Sequence, residues 1–202
     1  MPFIKGNKAV WNLGNIGQSS RIYNFNKRFN LNTPNQPDTY CGPCGDSSQP
    51  DLHTAKALVL CCMDFRLRDN TTCQLNLKGY KNQYDEVIAA GASLGYNGLA
   101  DYSGWNVFID SHVKLAYNLH HISEILIVEH AKCGAYAVQY PGLTDAEEYT
   151  YHVNNVSECA DELWSKFNST NGSVIQIPNL KITGYLISID GCSFEELYRK
   201  TS

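Results

Sequence analysis

The feature that most constrains this chain is a pair of short apolar runs, each of which stops at side chains that bind metals. The first is Ala57-Leu58-Val59-Leu60-Cys61-Cys62-Met63-Asp64-Phe65-Arg66, and the second is Ile125-Leu126-Ile127-Val128-Glu129-His130-Ala131-Lys132-Cys133-Gly134. Each begins without polar alternation, the pattern of a strand covered on both faces in a parallel sheet. Loops leaving the carboxyl ends of adjacent parallel strands open on one crevice. Cys62, His130 and Cys133 are therefore expected to converge on one ion, although the first lies far from the other two in sequence. Two thiolates and an imidazole favour Zn2+, and three protein ligands leave a fourth tetrahedral position for water or substrate. Asp64 and Arg66 follow the first ligand by two and four residues. That spacing lets the carboxylate accept a hydrogen bond from a water on the metal while the guanidinium orients the carboxylate.

C-x-D-x-R at the end of one strand and H-x-x-C-G at the end of a later one resemble the β-class carbonic anhydrases and their relatives. The resemblance implies zinc held by Cys62, His130 and Cys133, with Asp64 and Arg66 attending the catalytic water. It implies an α/β fold with a mainly parallel central sheet flanked by helices. The implied activity is reversible hydration of CO2 to bicarbonate and a proton by a zinc-bound hydroxide. It also implies a closed state, in which Asp64 leaves Arg66 and takes the open zinc position. The likeness runs from about Leu52 to the C-terminus, with Ile182-Thr183-Gly184-Tyr185 similar to the family's last central strand, and does not cover residues 1–50. Ala92 stands where the family's alanine-glycine-asparagine loop has its asparagine, and Phe65 where it has a small serine. Two other functions use the same residues. One is hydrolysis of a CO2 analogue, CS2 or COS, with Phe65 lining a tighter entrance; the other is a non-catalytic zinc-binding regulatory protein with Asp64 permanently on the metal.

At 202 residues the chain is long enough for one domain with a full core. A net charge of −4 with no long basic run gives nucleic acid no electrostatic foothold. No apolar stretch approaches the ~20 residues that cross a bilayer, and Met1-Pro2-Phe3-Ile4-Lys5-Gly6 lacks a secretory apolar segment, so a cytoplasmic protein is expected. Of the eight cysteines two adjoin and the rest are irregularly spaced, which fits a reducing compartment better than a disulfide framework.

Residues 1–50, rich in asparagine, glycine and proline with scattered aromatic residues, read as an arm packed on the body or on a partner subunit; residues 51–202 read as the zinc-binding catalytic domain. The resemblance implies that the arm clasps a second protomer, in a homodimer or a larger even-numbered homo-oligomer. Cys41-Gly42-Pro43-Cys44 spells a thioredoxin-type pair, but its flanks are loop compositions, which favours a staple, a metal clip or free thiols over a redox role. Glu86–Ala90 is the expected second strand, followed by a glycine loop that either approaches the site or simply turns. Ser103 to His121 reads as a helix with an inward stripe of Trp105, Phe108, Ile109, Ala116 and Leu119. His112, His120 and His121 there read as solvated residues more readily than as proton shuttles. Thr144-x-x-Glu147 is a capping box for a long helix with Tyr149, Val153, Val156, Ala160, Leu163, Trp164 and Phe167 inward, Cys159 in the core and His152 at the surface. Leu180 to Ile189 reads as a further central strand, and Ser193-x-x-Glu196 as the cap of a short final helix.

Overall fold

In the computed structural model, which describes residues 53–168 and 175–201, the two apolar runs become neighbouring strands in one sheet. The arm and the Cys41–Cys44 pair lie outside the described residues. The strands are β1 (Ala57–Cys61), β2 (Tyr84–Ile88), β3 (Glu124–His130), β4 (Lys181–Ile187) and β5 (Phe194–Thr201), in the order β2-β1-β3-β4-β5. The first four pair in parallel, and β5 runs antiparallel along the edge of β4. A short turn of 3-10 helix (Phe65–Leu67) leads into α1 (Arg68–Leu77). The remaining helices are α2 (Ser93–Gly98), α3 (Trp105–His120), α4 (Gly134–Gln139) and α5 (Asp145–Phe167).

The missing polar alternation in β1 and β3 has a direct cause: both faces of these strands are covered. Leu58, Leu60, Ile125 and Ile127 pack with Ile109 and Val113 of α3 and with Val156 and Leu163 of α5. Val59, Cys61, Leu126 and Val128, one residue out of phase, pack on the other face with Leu67 and with Leu75 of α1. Each such side chain contributes roughly 1.5–3 kcal/mol when fully buried. Gly184 of β4 lies where α5 crosses the sheet, and a Cβ there would collide with Val156. From β1 the chain moves outward to β2 and then crosses back past β1 to β3. The strand order therefore reverses between β1 and β3, and in open α/β sheets the ligand crevice forms at that point.

Four expectations need correction. The second strand spans Tyr84–Ile88, registered from Ala57↔Tyr84 to Cys61↔Ile88, so Ala89 and Ala90 lie beyond it. Helix α3 forms as expected, but its inner face is Ile109, Val113 and Ala116, while Phe108 and Leu119 are exposed. On α5 the capping box is present, yet Tyr149 is exposed and His152 is fully buried. The final element is a strand and not a helix. Its register slips opposite Gly184/Tyr185, leaving Leu197 between the partners Tyr198 and Glu196. Both Leu197 and Tyr198 pack on the α5-side core, which breaks the alternation that would have marked a strand.

Candidate metal centre

The crevice between β1 and β3 gathers the groups that the two sequence motifs carry. Cys62 follows β1 directly, His130 ends β3, and Cys133 precedes α4. The donor atoms of Cys62, His130 and Cys133 all lie within 4.8 Å of one another. The two sulfurs are 3.9 Å apart, and thiolates ~2.3 Å from a tetrahedral ion stand roughly 3.8 Å apart. His130 places Nδ1 3.0 Å from the Ala131 carbonyl, which assigns the ring proton to that nitrogen. Its Nε2 is buried without a hydrogen-bond partner. An orphaned imidazole nitrogen close to two thiols at that spacing fits a zinc ion.

The two thiols are pushed in opposite directions. Cys62 is held well below the usual thiol range, first by the Cys133 S–H and then, against the cost of burial, by His130 and the Gly91 N–H 3.4 Å from its sulfur. Cys133 is pushed up by the neighbouring Cys62 sulfur and by burial. Burial alone lowers the His130 pKa, but the Cys62 sulfur, its largest opposing influence, leaves it raised. A bound metal would displace the thiol proton and leave both sulfurs anionic.

Gly91 shows that the glycine loop reaches the site. Its φ of +69° suits glycine, and a Cβ there would stand 3.0 Å from the Ala135 Cβ, in the segment that follows Cys133. A larger residue would push the loop away from the Cys62 sulfur.

Asp64 and Arg66 are paired side chain to side chain. Arg66 Nε donates to Asp64 Oδ1 at 2.9 Å and Nη2 to Oδ2 at 2.6 Å, while Nη2 also donates to the Lys132 carbonyl at 3.1 Å. The guanidinium thus ties the loop after β1 to the loop after β3. Its hydrogen bonds hold the Asp64 carboxyl down at about 2. Asp64 Oδ2 lies 3.7 Å from His130 Nε2, beside the cluster but outside the converging donor set among the described residues.

An open cleft of about 470 Å3 meets Cys62 and Asp64, with walls that include Met63, Leu99, Trp105 and Val138. Phe65 is 84% exposed and is not among the described residues that line it. His112, His120 and His121 do not line it either; His120 pairs with Asp85 at 2.8 Å and His112 approaches the Phe108 carbonyl.

Sequence reasoning missed a row of polar side chains behind the cluster, the buried Glu129 and His152 and the half-buried Glu148. Glu129 interrupts the apolar run of β3, and an acid at such a position needs a polar partner from another element. His152 also lies four, seven and eleven residues before Val156, Cys159 and Leu163, the spacing of one helix face.

No family model matches the chain. It is 30% identical over 151 residues to the uncharacterized protein RC0076 of Rickettsia conorii, covering 73% of this chain and 74% of that protein. An uncharacterized protein of Rickettsia bellii is 29% identical over 149 residues, 74% of this chain and 85% of its own. Similar solved structures include a carbonic anhydrase from Glaciozyma antarctica, with a TM-score of 0.48 and 13% identity over 79% of this chain and 92% of that one. A β-carbonic anhydrase of Trichomonas vaginalis gives 0.47 and 17% over 89% and 97%. A carbon disulfide hydrolase gives 0.40 and 14% over 71% and 78%. Likenesses at these identities and scores say nothing of what this chain does. Its own residues have to.

Proposed function

We propose that this chain, which belongs to the same family as RC0076 of Rickettsia conorii, catalyses the zinc-dependent, reversible hydration of CO2 to bicarbonate and a proton. The observation that carries this reading is the meeting of two sulfurs 3.9 Å apart with an unpartnered His130 Nε2, beside an aspartate that an arginine holds ready. Cys62, His130 and Cys133 would hold zinc, which would supply a Lewis acid able to acidify water for attack on an uncharged carbon.

The protein's own groups do the rest. Asp64, ionised across the working range, accepts a hydrogen bond from the nucleophilic water and aims its lone pair at the substrate. With a pKa of about 2 it does not keep a proton at neutral pH, so the released proton leaves through another carrier. Arg66 fixes both carboxylate oxygens and would thereby keep Asp64 from turning to ligate the metal. The cleft walls Leu99, Trp105 and Val138 offer an apolar seat for CO2. Because Phe65 is exposed and does not line this cleft, the feature that would favour CS2 or COS is not supported, and CO2 hydration is the preferred reading.

Stopped-flow CO2 hydration by zinc-loaded protein tests the proposal. Two thiolate ligands weaken the Lewis acid relative to three imidazoles, so the apparent pKa lies above ~7 and activity climbs into alkaline pH. Cys133→Ala is expected to abolish the activity. A zinc-loaded protein silent towards CO2 at every pH, or one releasing sulfide from CS2 or COS instead, overturns the assignment.

A further inference from the structure

The strand that delivers His130 also carries an acid for which an apolar strand has no evident use. Glu129 is completely buried. Its Oε1 accepts the Ser93 N–H at 2.8 Å and the Ser93 hydroxyl. Its Oε2 lies 3.2 Å from Nδ1 of His152, a residue of α5 that is 1% exposed and whose ring centre is 4.0 Å from that of Tyr136. His152 Nε2 lies 3.6 Å from Glu148 Oε1, one turn earlier on the helix. Neither approach has full hydrogen-bond geometry; the imidazole lies between the two carboxylates and against the Tyr136 ring. Glu148 then reaches the site: its two oxygens accept the backbone N–H groups of Cys133 at 2.8 Å and Lys132 at 3.1 Å.

The two ends of this chain act on equivalent places. Ala92 has φ +41° and Lys132 φ +60°, backbone conformations that side-chain-bearing residues rarely adopt without support. In each loop the next amide is taken by a carboxylate: Ser93 N–H by Glu129, Cys133 N–H by Glu148. One loop aims the Gly91 N–H at the Cys62 sulfur, and the other returns Cys133 to it. A carboxylate receiving two amide N–H groups makes charge-assisted bonds, stronger than neutral ones.

We infer that Glu148 is the positioning residue for Cys133: it holds the Lys132–Cys133 turn so that the sulfur meets Cys62 and His130, while Glu129 holds the Ser93 amide of the opposite loop. This rests on the zinc reading of the cluster. Removing Glu148 frees two amides and lets the turn relax, which displaces a ligand without removing it. Partners behind metal ligands are typically worth about 10–100-fold in metal affinity.

The test is zinc affinity by chelator competition, with the absorption spectrum of the cobalt-substituted full-length protein as a second readout. Glu148→Ala is expected to weaken zinc binding about 10–100-fold and to shift the thiolate-to-cobalt charge-transfer bands. Glu148→Gln keeps the volume but offers one acceptor oxygen to two N–H groups, and is expected to fall between wild type and Glu148→Ala; it decides the matter if the alanine variant does not fold. Asn155→Ala is the control. It breaks buried hydrogen bonds to Asn97 and to the Tyr151 carbonyl on the same helix, with no hydrogen bond to the ligand turn, and should bind zinc as wild type does. Wild-type affinity and spectrum in the Glu148 variants, or an equal loss in Asn155→Ala, overturns the inference. A wild-type protein that binds no zinc is a different failure: it removes the metal site itself, and the inference with it.

Discussion

Cys61 and Cys62 are consecutive, and each has a carboxylate and an arginine close by: Glu86 with Arg68 for the first, Asp64 with Arg66 for the second. The strand pleat sends them to different places. Cys61 faces the α1 side of the sheet, where its S–H donates to Glu86 Oε1 at 3.2 Å. Burial and then the Glu86 charge push that thiol up to about 12. Cys62 opens on the crevice, where Asp64 is turned to Arg66 and the nearest groups to the sulfur are another thiol, an imidazole and the Gly91 amide. A carboxylate against a sulfur keeps its proton on; a thiol, an imidazole and an N–H around one take it off. Residue type alone therefore does not make a metal ligand.

The largest difference between the two regions lies in the sulfurs. Cys62→Ala is expected to lose zinc and CO2 hydration to background, whereas Cys61→Ala keeps both and costs about 1 kcal/mol of stability through the small cavity it leaves. Zinc stoichiometry and denaturant unfolding check the two arms, and equal losses of zinc would erase the contrast. A smaller difference is expected between the arginines. Arg66→Ala should cut hydration about 10–100-fold with zinc retained, because Asp64 is freed to ligate, while Arg68→Ala should leave turnover close to wild type. Rates measured alongside zinc content separate a blocked site from an empty one.

The last contrast concerns protons. Folding raises the Cys61 pKa from 9.0 to about 12, so the folded protein holds a proton that the unfolded chain gives up. The stability this adds is present in full below pH 9 and is lost as pH rises towards about 12. Cys61→Ala should flatten that alkaline decline. Unfolding midpoints on either side of pH 9 that fall equally in both proteins would assign the decline to other groups.

How much of this the sequence reveals depends on how local each signal is. Cys62, His130, Cys133, Asp64 and Arg66 lie at the ends of two strands whose apolar runs announce burial, and Thr144 with Glu147 forms the cap that their spacing predicts. Longer-range features are harder to read. His152 looks like a surface residue until it is set against Glu129, a partner supplied by a different strand. Leu197 disguises β5, because one extra residue on the edge strand turns an alternating pattern into one that resembles a helix. On α3, Phe108 and Leu119 are as apolar as the buried Ile109 and Val113, so composition does not say which side faces the sheet. The crevice itself follows from the strand order, which no single segment encodes.

X-ray absorption at the zinc edge of the zinc-loaded protein tests the central claim most directly, since it counts sulfur neighbours of the metal without relying on turnover. Cys62, His130 and Cys133 as ligands predict two sulfurs at ~2.3 Å, one imidazole nitrogen at ~2.0–2.1 Å and one further light atom. Cys62→Ala should lose that signature and Cys61→Ala should keep it. A shell with four sulfurs, with none, or unchanged in Cys62→Ala would place the zinc elsewhere and contradict the account.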